Sequence, residues 1–87
     1  VHKVEFKEFG DKRYELLRVS DVDRDGMWLE LRDATYNEVL TIFYSDASGQ
    51  MTFTAYEQDL SLDLVEWFIQ KARQALPPLN QIDYPQS

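Results

Sequence analysis

Eighty-seven residues, 44% apolar and 14% aromatic, give enough core for one small domain and no room for a second. The lack of cysteine excludes disulfide frameworks and thiolate metal sites, and a formal charge of −7 gives the wrong field for DNA or RNA. No apolar run approaches the roughly 20 residues of a membrane span, and residues 1–6 lack the apolar stretch of a secretory signal. The expectation is a cytoplasmic protein with no nucleic-acid partner and no membrane partner.

Residues 4–6 alternate and predict a first strand, turned back by Gly10-Asp11-Lys12. Residues 14–19 form a second strand whose inward face is ambiguous, because Leu16 and Leu17 are adjacent. Residues 21–26 read as a polar loop ending in Gly26, which relieves strain there. Residues 27–32 alternate cleanly, with Met27, Leu29 and Leu31 on one face and Glu30 and Arg32 on the other. After a turn at 33–37, residues 38–44 are β-branched and aromatic and read as the central strand. A hairpin loop at 45–49 leads to the last strand, 50–56.

Beyond Asp59 the period changes from two to 3.6. Leu62, Val65, Ile69, Ala72 and Leu76 fall on one helical stripe, which Phe68 widens. Asp59 or Ser61 can cap the start, Asp63 and Glu66 sit early, and Lys71 and Arg73 sit late, as the helix dipole favours. Pro77-Pro78 ends the helix, predicted near 61–76. Strands in a row followed by one amphipathic helix mean α+β: an antiparallel β-meander of four to five strands with the C-terminal helix packed on one face. Residues 1–78 form that single domain and 79–87 an extended C-terminal tail. The predicted core is Leu29, Leu31, Leu40, Ile42 and Phe53 against Leu62, Val65, Phe68, Ile69, Ala72 and Leu76.

Chemistry-bearing motifs are scarce. Asp21-Val22-Asp23-Arg24-Asp25-Gly26 matches the first six positions of an EF-type calcium loop, but the twelfth position is Arg32, a cation where the metal needs a carboxylate. No metal site is expected. His2 is the only histidine and Gly10, Gly26 and Gly49 stand alone, so neither nucleophilic catalysis nor a phosphate cradle has its material. The chain reads as a non-enzyme without cofactor.

The charge is segregated. Residues 21–66 hold eleven acids against Arg24 and Arg32, a balance of −9, while the segments on either side are each +1. Alternation also sends Trp28, Val39, Phe43 and Tyr56 to the sheet face away from the helix, which one helix cannot cover. Charge that steers an encounter beside aromatics that anchor it describes a surface for a basic protein. The candidate partner-binding residues are Asp21, Asp23, Asp25, Trp28, Glu30, Asp33, Glu38, Phe43, Asp46, Tyr56, Glu57 and Asp59. In size and composition the chain is similar in kind to bacterial immunity proteins, antitoxins and phage inhibitors. The implied function is inhibition of a basic toxin or nuclease-like protein. The alternative is a structural protein, a homodimer joined through the aromatic face, with the tail (Leu79, Ile82, Tyr84) as a further means of covering that face.

Overall fold

Short polar connections leave each strand little choice but to pair with its neighbour in sequence. The computed structural model describes residues 2–21, 23 and 25–76. Five strands, β1 (His2–Phe9), β2 (Lys12–Asp21), β3 (Gly26–Arg32), β4 (Glu38–Ser45) and β5 (Met51–Ala55), precede one helix, α1 (Leu62–Ala75). The strands form one antiparallel sheet in the order β1-β2-β3-β4-β5. The fold is therefore an α+β meander. The central strand is β3 and not the segment 38–44, because five strands in chain order place the third in the middle. The proposed domain end at 78 and the tail 79–87 lie outside the described residues.

The first hairpin turns on Gly10 and Asp11, and Gly10 has φ 63, which a residue without Cβ adopts at no steric cost. Register then resolves the ambiguous face of β2. Leu16 stands opposite Leu31, and Leu31 opposite Leu40, so Leu16 joins the helix-facing layer and Leu17 points the other way. Val39 departs from the expected alternation. Leu31 pairs with Leu40 but Arg32 pairs with Glu38, which makes Val39 the extra residue of a bulge. A bulge breaks the period of two, and Val39 is fully buried in the main core rather than on the second face.

Helix α1 lies on that core with a stripe that shares Phe68, Ala72 and Leu76 with the predicted one and adds Leu64. Leu64, Phe68, Ala72 and Leu76 are buried against Tyr14, Leu16, Leu29, Leu31, Leu40 and Ile42. Val65 and Ile69 are only half-buried, and Leu62 is 69% exposed. The apolar arc of this helix is wide, running from Trp67 through Phe68 to Ile69, and periodicity cannot say which part of it the sheet will take. The sheet takes the part centred on Phe68, the largest fully buried side chain, and with it Ala72 and Leu76 of the predicted stripe, and leaves Val65 and Ile69 at the rim and Leu62 outside. Phe53, also assigned to the core, is 47% exposed because α1 does not reach over β5. Ser61 occupies the N-cap position but its side chain makes no capping bond; the first helical bond runs from the Val65 N–H to the Ser61 carbonyl oxygen. Asp59 does not cap either, and stands two residues earlier with φ 57.

Replacing Phe68 with Ala should cost about 3–5 kcal/mol, enough to unfold most of a marginal domain. Leu62→Ala should stay within about 0.5 kcal/mol of the parent. Urea unfolding of the two variants checks this; equal losses would show that α1 presents another face to the sheet.

Candidate functional site

One helix occupies one face, so the chemistry of the other is set by strand alternation. Trp28, Glu30 and Arg32 of β3, Thr41 and Phe43 of β4, and Thr52 and Thr54 of β5 all project from the face opposite α1. Trp28 and Phe43 are direct cross-strand neighbours, with ring centroids 6.1 Å apart and planes tilted by 44°. Their placement depends on Gly26. This residue opens β3 opposite Ser45 and is not the strain-relieving end of a loop; Asp25 takes the left-handed conformation instead, at φ 55. A Cβ at Gly26 would collide with the Tyr44 carbonyl oxygen and with the ring of Phe43. The glycine is there for clearance.

Among the described residues, Glu30 is the buried charge of this face, 7% exposed. Its Oε1 accepts from the Trp28 indole Nε1–H at 3.0 Å, and its Oε2 from the Arg32 Nε–H at 2.8 Å. The same carboxylate thus fixes an aromatic ring and a guanidinium. Arg32 also donates from Nη1 to the Tyr36 carbonyl oxygen at 2.9 Å and lies 4.7 Å over the Tyr36 ring. Desolvation works against its charge, but the hydrogen bond and field of Glu30, followed by Glu38, outweigh it and raise its pKa. Glu38 accepts the Thr41 hydroxyl at 2.6 Å.

These side chains enclose a concavity of about 380 Å³ lined by Trp28, Glu30, Glu38, Thr41, Phe43, Thr52, Thr54 and Tyr56. Five of the twelve sequence-predicted residues (Trp28, Glu30, Glu38, Phe43 and Tyr56) meet here. The others divide between the two ends of the sheet. Asp23, Asp25 and Asp46 share the end where the β2–β3 and β4–β5 loops meet, joined by a bond from the Asp46 N–H to the Asp25 carbonyl oxygen. The side chain of Asp21 lies outside the described residues. Asp33, Glu57 and Asp59 are at the opposite end, where Asp33 and Glu57 border one shallow depression and Asp59 another. Among the described residues no three acidic or histidine side chains are arranged to hold a metal ion. Nor is any described helix long and apolar enough to cross a membrane.

Asp33 serves its own loop. Its Oδ1 accepts from the Thr35 N–H, the Thr35 hydroxyl and the Asn37 N–H, all within 2.9 Å. Those bonds, the one from the Asn37 backbone first, hold its pKa below the ordinary 3.8. Thr41, Thr52 and Thr54, which floor the concavity, were absent from the predicted set. Their alternation with Leu40, Ile42 and Phe53 is the signal that places them. No family model, curated protein or solved structure matches this chain.

Glu30→Ala should cost about 1–3 kcal/mol, since it strands a half-buried indole N–H and a guanidinium. It should also shift the Trp28 fluorescence; an unchanged melting temperature and spectrum would contradict the assignment. For Asp33 the folded-state pKa is depressed, so its stabilisation is complete above the unfolded value near 3.8 and lost as pH falls through the folded one. The melting-temperature gap between the parent and Asp33→Ala should therefore be constant near neutrality and close below pH 3.8. A gap that widens on acidification would have the wrong sign.

Proposed function

We propose that this protein is a non-enzymatic, acidic binding module that masks a basic protein partner through the sheet face opposite α1. The observation that carries the reading is the concavity, where Glu30 and Glu38 lie among Trp28, Phe43 and Tyr56. With Glu30 already held by Trp28 and Arg32, the Glu38 carboxylate beside the aromatic wall suits a lysine or arginine side chain, which gains both the charge and the ring face. Acids at both ends of the sheet add a field that speeds encounter with a basic surface. The class of inhibitor that this describes acts by occlusion, as immunity and antitoxin proteins do, and a cytoplasmic setting suits a chain without cysteine. A homodimer through the same face is the weaker reading. A two-fold interface would bring Glu38 of one copy against that of the other, with no base among the described residues that line the concavity to offset it, while Glu30 is already paired with Arg32.

The test is capture from native lysate at low and high salt, followed by kinetics with the basic protein retrieved. Neutralising Glu38, Asp46 and Glu57 to their amides should slow association and flatten its salt dependence. Trp28→Ala should speed dissociation by roughly 30-fold, the equivalent of about 2 kcal/mol. Retrieval of the protein alone, as a salt-insensitive dimer that Trp28→Ala splits, would replace the masking reading with the homodimer.

A further inference from the structure

The two outer strands of the sheet are guarded very differently. β1 carries Glu5, Lys7 and Glu8 and has a register irregularity between Lys3 and Glu5. Charge and irregularity are the usual means of keeping another strand off an edge. β5 is Met51-Thr52-Phe53-Thr54-Ala55, with no charge, no proline and no irregularity in its pairing. Its hydrogen bonding can be read from its two ends. The Ser45 N–H donates to the Gln50 carbonyl oxygen, and the Tyr56 N–H to the Val39 carbonyl oxygen. Every second pair is bonded, so Thr52 and Thr54 turn their backbone groups towards β4. Met51, Phe53 and Ala55 turn theirs outward, where no described residue pairs with them.

The surfaces flanking this edge differ in chemistry. On the helix side a groove of about 180 Å³ is lined by Ile42, Met51, Phe53, Ile69 and Ala72, with Arg73 at its border. On the other side lies the carboxylate-bearing concavity, which Thr52 and Thr54 also line. From this juxtaposition we propose that the outer edge of β5 docks an extended segment of a basic partner, in which cationic and apolar residues alternate. The inference rests on the masking function above and specifies how the partner is held.

An added strand sends successive side chains to opposite faces. Apolar ones enter the groove beside Phe53, from which Arg73 repels cations. Cationic ones cross the short Thr52 and Thr54 towards Glu38. Two strand spacings put Glu38 about 10 Å from the added strand, within the combined reach of an arginine and a glutamate. A second copy of this chain fits worse, because its β5 contains no base to offer. In an antiparallel pairing the apolar residues of the segment stand opposite Met51, Phe53 and Ala55 and exchange hydrogen bonds with them, while the backbone N–H groups of the cationic residues face away.

That asymmetry supplies the test. The probe is a capped ten-residue peptide of alternating arginine and valine, titrated into the whole protein by calorimetry. It should bind saturably and more weakly as salt is raised. N-methylation of its valines should weaken it at least about tenfold, since each lost N–H leaves a carbonyl of β5 unpaired. N-methylation of its arginines should leave affinity within about threefold, because those N–H groups make no bond to the protein. Equal binding by both methylated peptides would overturn edge docking and leave the acidic-face reading standing. Failure of the unmethylated peptide to bind at millimolar concentration, while a basic protein is still captured from lysate, would also overturn it. So would a dimeric mass in sedimentation that excludes the peptide, which would assign the edge to a second copy.

Discussion

A helix about 10 Å across cannot cover a sheet whose outer strands stand about 19 Å apart. Much of the rest of the molecule depends on where α1 settles within that width. It settles with Phe68 in one buried cluster with Leu16, Leu29, Leu31 and Leu40, the leucines that β2, β3 and β4 turn towards the helix. The middle of the sheet is thereby sealed and both margins are left to other devices. On the β1 side, Lys71 of the helix reaches Glu5 at 3.0 Å, and Lys7 sits 5.3 Å over the Trp67 and Phe9 rings. On the β5 side no such bridge is formed among the described residues. Phe53 remains half-exposed beside a groove, and the backbone groups of Met51, Phe53 and Ala55 face outward.

Topology converts charge order into charge position. In a meander, neighbours in sequence are neighbours in space, so most of the acidic stretch 21–66 becomes the β3–β5 half of the sheet with its loops, and its last acids, Asp63 and Glu66, lie on α1. Lys7, Lys12, Arg13 and Arg18 stay in the β1–β2 half. The molecule is laterally polarised as a direct result of its connectivity. Glu30 then ties the aromatic face together at the middle, because one carboxylate orients both Trp28 and Arg32. The open margin, the negative half and the aromatic face coincide.

Much of this architecture was legible in the chain because alternation and turn residues are local signals. The clean period of two at 27–31 placed Leu29 and Leu31 on the helix face and Trp28 and Glu30 on the other, as found. What alternation could not foresee was the bulge at Val39, since an extra residue leaves no mark in composition. The rotation of α1 was equally hidden: Leu62, Leu64, Val65, Phe68 and Ile69 offer overlapping stripes, and only the shape of the sheet selects among them. Gly26 misled for a related reason, because a glycine after Asp25 resembles a turn until the ring of Phe43 is seen to need its space. At the candidate site, sequence brought together Trp28, Glu30, Phe43 and Tyr56 by face, whereas Glu38, in step with Leu40 and Ile42 by alternation, reaches it through the bulge at Val39. It could not tell that Asp33 is occupied by its own loop, because that depends on the fold of the turn.

Among the described residues the outer edge of β5 is open while its inner side is bonded to β4. Residue-resolved amide exchange on the isolated protein reads this directly. The Thr52 and Thr54 amides should be protected and those of Met51, Phe53 and Ala55 should exchange close to the rate of an unstructured chain, a strict alternation along five residues. Uniform protection of all five amides would contradict the account, since it would mean that the edge of β5 is already covered.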